Sequence, residues 1–244
     1  QAAHLGSYPD EVHYNNNKIV LAGTKLRVYN VENDNIVFLA ETDNGNSMFS
    51  SNYNGNIFWV RQFYGGKTFD IRTNLISEGT NYEFDNIDGV DVSSSGNEYL
   101  YSIVADGSYV VVSSVGSKTF IFNKDGSFIS SIDRAGNRVA LHSNYLYISD
   151  GNSSNYIYDI SDPQNPVYIK SFMGATTNGP FKVYNNRLYS GRNDLKVFDL
   201  SNPLAPRYIF NQNIDQSSVT GLSFQDDLVF VSGGGRVYIY QISE

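Results

Sequence analysis

The sequence predicts an all-β protein assembled from a repeated unit of about forty residues, and three observations carry that prediction. The stretch "YIYDISDPQNPVYIKSF" at 156–172 returns as "LKVFDLSNPLAPRYIF" at 195–210. In both, an apolar run ends in Asp, an Asp/Asn-Pro dipeptide follows with a second Pro three residues on, and another alternating run begins, which reads as strand, turn and strand. Tyr (19) and Phe (15) are abundant while charged residues make up only 17%, and Gly (21) and Asn recur in short clusters, a composition suited to pleated strands joined by tight turns. No stretch approaches about eighteen uninterrupted apolar residues and no amphipathic period is sustained, so neither a membrane-spanning helix nor a long helix is expected.

Taken in order, six units share one grammar. Their second strands read "KIVLAG" from Lys18, "NIFWV" from Asn56, "SYVVVSS" from Ser108, "YLYISDG" from Tyr145, "RLYSG" from Arg187 and "DLVFVSGG" from Asp227, with starts spaced by 38, 52, 37, 42 and 40 residues. The third strands follow as "KLRVYNV", "KTFDIRT", "KTFIFN", "NYIYDIS", "LKVFDLS" and "RVYIYQIS". Four short strands per forty residues is the period of a propeller blade. The expectation is a single domain over 1–244, a six-bladed β-propeller with blades near 10–42, 43–81, 82–132, 133–173, 174–213 and 214–244 plus 1–8. The last unit ends at "RVYIYQISE" without a fourth strand, whereas "HLGSY" (4–8) aligns with the fourth-strand segment "YIKSF" (168–172). The N-terminal strand is therefore expected to complete the last blade and close the ring, protecting an edge.

The 52-residue spacing holds "EGTNYEFDNIDGVDVSSSG" (78–96), roughly a dozen residues beyond the period, placed where the second blade hands over to the third. Long excursions in compact domains are often functional, although an extra hairpin padding one blade is an equally physical reading. This segment is acidic and carries Tyr82 and Phe84 as apolar anchors.

"LKVFDLSNP", "YIYDISDPQNP" and "LRVYNVEND" resemble the LVIVD repeat, a propeller-blade signature of bacterial and archaeal cell-surface proteins. The third unit, "KTFIFNKDGSFISSI", looks more like an NHL-type blade, with its Asp-Gly turn between strands. The resemblance implies an exported propeller, secreted or at the cell surface, and brings no catalytic residues with it. The Asp-Leu-Ser-Asn-Pro string also has a local explanation: short polar side chains bond nearby backbone amides, and Pro stops the ladder.

A net charge of −8 with pI near 4.8 repels phosphate backbones, and the basic residues are scattered, so no nucleic-acid partner is expected. Zero Cys excludes disulfides, thiol catalysis and Cys-based metal sites. Gln1 in first position fits a mature chain after removal of a signal segment, and equally a chain shortened by other means.

Candidate chemistry is sparse. His13 in "DEVHYNNN" and His142 in "RVALHSN" fall on first strands of the first and fourth units, opposite one another in a six-fold ring. With Glu11 and Asp10 nearby they form the one possible acid–base or metal constellation. Two partly exposed strand histidines are the plainer reading. "FYGGKTF" and "VSGGGRVYIY" read as hairpin turns rather than phosphate loops, and "FNKDGSF" as a turn rather than a calcium loop. Trp59 reads as a core residue. Arg61, Tyr64 and Arg192 lie in or beside the turns after second strands and are the better ligand-contact candidates, and Asn152 heads a glycosylation sequon on that rim. No cofactor and no metal is expected.

The function expected is a non-enzymatic binding or scaffold module, monomeric, for protein or glycan on the cell surface. Its contacts would come from Glu11, His13, Arg61, Tyr64, Tyr82, Phe84, His142 and Arg192. Two alternatives stand beside it: a carbohydrate-active hydrolase or lyase using the Glu11, His13 and His142 region, and a structural surface-layer module.

Overall fold

The computed structural model describes residues 11–15, 17–22, 27–32, 35–41, 48–53, 57–62, 68–71, 75–78, 81–84 and 90–91. From 100 to 242 it describes all but 107, 116–117, 125–126, 153, 176–178, 215–217 and 234–235. At 11–13, 15, 22 and between 48 and 100 the description is of the backbone alone. Contacts divide the chain into two compact units, 1–112 with 121–129, and 113–120 with 130–244.

In the first unit, β1 (Glu11–Asn15), β2 (Lys18–Ala22), β3 (Arg27–Glu32) and β4 (Asn35–Glu41) form an antiparallel sheet in chain order. The second sheet begins with β5 (Met48–Tyr53), β6 (Ile57–Gln62) and β7 (Thr68–Ile71). The chain then turns through a separate two-stranded hairpin, β8 (Leu75–Glu78) and β9 (Asn81–Phe84), before β10 (Val90–Asp91) returns to pair with β7. The surplus at 78–96 thus resolves into half of a hairpin plus a fourth strand: the excursion lies inside the second sheet, between its third and fourth strands. The third sheet is β11 (Leu100–Ala105), β12 (Tyr109–Ser114), β13 (Thr119–Asn123) and β14 (Phe128–Ile132).

The second unit contains β15 (Arg138–His142), β16 (Tyr145–Ser149), β17 (Ser154–Asp159) and β18 (Val167–Met173), then β19 (Phe181–Tyr184), β20 (Arg187–Gly191), β21 (Asp194–Asp199) and β22 (Arg207–Asn213). A last sheet of three strands, β23 (Val219–Gln225), β24 (Leu228–Gly233) and β25 (Arg236–Gln241), follows. All six predicted second strands are second strands of sheets. The blade count is nonetheless corrected: the all-β propeller has five four-stranded blades, not six, because among the described residues the last repeat unit contributes three strands only. The count of six rests on residues 1–8 supplying the strand that the last unit lacks. Residues 1–8, expected to complete it, lie outside the described residues.

The repeated sentence now has a physical meaning. In the first, fourth and fifth blades the outermost strand carries a bulge at the same place, where pairing shifts between Val28 and Tyr29, between Ile157 and Tyr158, and between Val197 and Phe198. Directly after it an aromatic on the third strand meets one on the fourth, edge to face: Tyr29 with Phe38 at 5.6 Å, Tyr158 with Tyr168 at 5.5 Å, Phe198 with Tyr208 at 5.7 Å. Such pairs fix cross-strand register, and a bulge on an outer strand adds twist that discourages edge-to-edge pairing. An amide at or just after the end of the third strand closes four of the units onto their first hairpin: Val31, Ile160, Leu200 and Ile242 donate to the carbonyls of Asn17, Asn144, Asn186 and Asp227. In the fifth blade that hairpin turns through Asn185 and Asn186, both with positive φ (46° and 54°), the conformation Asn tolerates best among residues with a Cβ.

The Asp of the string caps the next turn. Ser161 N–H donates to Asp159 Oδ1 and Ser201 N–H to Asp199 Oδ1, each at 2.8 Å, and Asp162 and Asn202 repeat the device at Gln164 and Leu204. Hydrogen bonds from Ser161 hold Asp159 below its ordinary carboxylate range, and the Ser201 amide, then Arg207, do so for Asp199. A carboxyl whose pKa is lowered by folding contributes stability that is present above its unfolded value, 3.8, and lost as pH falls through the lower folded value. The double variant Asp159→Asn, Asp199→Asn is therefore expected to flatten the acid limb of the stability curve. Thermal melts between pH 6 and pH 2.5 check this; an unchanged acid limb would assign the decline to other carboxyls.

Two buried clusters form the core of the second unit. One joins Ala140, Tyr147, Ile157, Ala175, Phe181, Leu188, Phe198 and Leu200, and the other joins Tyr189, Leu195, Val197, Ile214, Val219, Leu222, Val229 and Val231. The Pro carbonyls of the turns are acceptors for the preceding blade: Ser130 Oγ donates to Pro163 O at 2.5 Å and Tyr147 Oη to Pro203 O at 2.8 Å. "FNKDGSF" and "VSGGGRV" are hairpin connections, as expected from sequence. Asn123 N–H meets Ser127 O at 2.9 Å, and Gly233 faces Arg236 in register.

Candidate functional site

Arg192, singled out in the sequence, lines a cavity among the described residues. The turn Arg192-Asn193 joins β20 to β21 in the fifth blade, and Asp194 and Lys196 follow at alternate positions of β21, so they share a face. Across the ladder Asp194 pairs with Asn213 and Lys196 with Asn211, which puts both amides of β22 on that same face. These six side chains line an open cavity of about 320 Å³.

The turn is held from behind. Gly191 N–H donates to Pro180 O at 2.9 Å, Arg192 N–H to Asp194 O at 3.1 Å, and Val219 N–H to Arg192 O at 2.6 Å. Lys196 Nζ lies 3.9 Å from Asp194 Oδ2, a loose pair that leaves donor and acceptor capacity on both. Among the described residues the guanidinium of Arg192 and the side-chain amides of Asn193, Asn211 and Asn213 engage no partner. One carboxylate against two cations makes this basin locally positive on a chain of net charge −8.

The fourth blade fills the same place differently. Tyr156 holds the position of Lys196, opposite Ser171 in register, and the guanidinium of Arg134 lies 4.1 Å from its ring centroid, a cation–π contact. A hydrogen bond to Tyr158, outweighing desolvation, holds Arg134 above its ordinary pKa. Asn152, the sequon residue, sits exposed on the equivalent turn, its N–H donating to Asp150 Oδ1 at 2.8 Å.

The other candidates fall elsewhere. His142, at the end of β15, is half buried; burial pushes its pKa below the usual range, and a bond to the Leu200 backbone carbonyl acts in the opposite direction. That bond ties the ring to the neighbouring blade. Glu11 and His13 lie on β1, facing Ala22 and Val20 in register, and belong to the other unit from His142. Arg61 is on β6 opposite Asp70, and Tyr82 and Phe84 are on β9 opposite Ser77 and Leu75. Tyr64 and Asp10 lie outside the described residues. No group of three or more metal-ligating side chains occurs among the described residues, and no helix there is long and apolar enough to cross a membrane.

The sequence reading missed Asn193, Asp194, Lys196, Asn211 and Asn213. The available signal was the polar run Asn211-Gln212-Asn213 that ends the fourth strand "RYIFNQNI", its two asparagines at alternate positions and matched by Asp194 and Lys196 in "DLKVFD".

Residues 133–174, the fourth blade, match the LVIVD repeat; the chain is a β-propeller carrying that repeat. Three solved structures share its fold. A functionally unknown protein from Desulfotomaculum acetoxidans DSM 771 superposes with TM-score 0.71 at 13% identity over 98% of this chain and 84% of its own. The periplasmic gluconolactonase of Pseudomonas aeruginosa gives 0.72 at 10% identity over 99% and 83%. A candidate 6-phosphogluconolactonase from Bacteroides fragilis NCTC 9343 gives 0.74 at 13% over 99% and 82%. At such identities the likeness is one of fold. No curated protein matches the chain in sequence.

Proposed function

We propose that the protein is a non-enzymatic binding module, exported or displayed at a cell surface, that engages glycan or protein through the loops and turns of its blades. One observation carries this reading: the cavity at the Arg192 turn, where the Arg192 guanidinium and the side-chain amides of Asn193, Asn211 and Asn213 have no partner among the described residues. Unengaged, converging polar groups on a rigid sheet are what a recognition site requires. The cell-surface setting rests on the LVIVD repeat.

The β8–β9 hairpin, with Tyr82 and Phe84, supplies a second contact region, toward protein. Because β10 is the fourth strand of its sheet, excision must spare 90–91. Replacing 75–84 by a short Gly-Ser bridge is expected to leave the thermal midpoint within a few degrees of the parent and to abolish protein capture. Unfolding of the excised chain would make the hairpin part of the blade and remove it from the binding surface.

A second reading, a hydrolase or lyase on carbohydrate working near Glu11, His13 and His142, has the two lactonase neighbours in its favour. The tie between His142 and Leu200 weighs against it. Probing an array of glycans and surface proteins with the intact chain, alongside a lactone-hydrolysis assay, separates the two. Specific capture without turnover supports the module; turnover lost in His142→Ala would reverse the order.

A further inference from the structure

We infer that the Arg192 cavity is a subsite for a carboxylate-bearing sugar, a uronate residue of an acidic glycan. This deepens the binding-module reading and rests on it. The basin presents what such a ligand needs at once. Arg192 offers a planar fork that matches a carboxylate in two parallel hydrogen bonds. Lys196 adds a second cation. Asn193, Asn211 and Asn213 each bring a donor and an acceptor for hydroxyl groups, and Asp194 accepts from hydroxyls.

Charge discriminates among anions. The basin carries one carboxylate beside its two cations, inside the field of a chain of net charge −8. A monoanionic group is matched in the basin, whereas a phosphate group approaching two negative charges meets Asp194 there. A neutral sugar leaves the guanidinium without its counter-charge. At about 320 Å³ the cavity lies at the small end of the ligand-pocket range, roughly 300–1,000 Å³. It therefore admits a short stretch of sugar rather than a chain buried along its length.

The experiment is calorimetric titration of the intact chain with tetragalacturonate, maltotetraose and glucose 6-phosphate. Tetragalacturonate is expected to bind at least about tenfold more tightly than either of the others, as befits a charged hydrogen-bonded contact, and to weaken as salt is raised. Arg192→Ala is expected to lose about tenfold or more, with Arg192→Lys retaining part of the affinity because an ammonium lacks the fork. Asn213→Ala, on a different strand, provides an independent variant, and circular dichroism confirms that each one folds. Equal or tighter binding of maltotetraose or glucose 6-phosphate overturns the ligand class. Unchanged uronate binding in both Arg192→Ala and Asn213→Ala overturns the site. Capture of another glycan or protein that is indifferent to Arg192 overturns this inference while leaving the module intact; failure of the intact chain to bind anything on the array overturns both.

Discussion

Replacing Tyr147 with alanine is expected to cost about 3–5 kcal/mol and to lower the melting temperature by roughly 6–20 °C. Tyr147 is fully buried on β16, within the cluster that holds Ile157, Leu188 and Phe198. Its ring meets Phe172 edge to face at 6.4 Å. Its hydroxyl, driven by burial well above the ordinary phenol pKa, stays protonated and donates to Pro203 O. Tyr147→Phe separates the contributions: ring packing survives, one hydrogen bond is lost, and the cost falls to about 1 kcal/mol or somewhat more. Urea titration of both variants checks the ledger. If phenylalanine costs as much as alanine, the Pro203 tie rather than packing holds the fourth and fifth blades together.

The second large effect concerns the turn that carries the cavity. A Cβ on Gly179 would stand 2.6 Å from Val219 O and closer still to Gly191 O, and one on Gly191 would stand 2.7 Å from Val219 Cγ1. Backbone oxygens cannot swing aside as a side-chain end can. Gly179→Ala is therefore expected to destabilise by about 1–3 kcal/mol and to displace the Gly191–Arg192 turn. The reporter that distinguishes this from general loosening is the loss of uronate affinity at temperatures where the variant is still folded. Full retention of that affinity would mean that the turn is positioned by its hydrogen bonds alone.

The repeat grammar was legible because it is local. The apolar runs entering small-residue turns in "YLYIS" and "RLYSG", the Asn-Asn turn at 185–186 and the Asp-Leu-Ser-Asn-Pro cap each act within a few residues, so each leaves a mark in the chain. The bulge was not legible, because it is defined by the register in which Phe198 meets Tyr208. Blade number was not legible: the missing fourth strand of the last unit shows in the sequence, but six blades followed only from assigning residues 1–8 to it, a long-range pairing that no local pattern encodes. The place of β10 was hidden for the opposite reason, since Val90-Asp91 is too short to show alternation and is defined by its partner β7. The cavity depends on which residues of β22 face Asp194 and Lys196, a matter of cross-strand pairing beyond the Ile209 bulge. Sequence could nominate Arg192 from its turn; only the paired strands bring Asn211 and Asn213 beside it.

Hydrogen exchange on the intact chain, with and without saturating tetragalacturonate, tests the central claim most directly, because it locates the ligand instead of inferring it from variants. Slowed exchange is expected at the amides of the Gly191–Lys196 segment and around Asn211–Asn213, with β15 and its His142 unchanged. Protection centred on β15, or spread evenly over all blades, would contradict a site at the Arg192 turn.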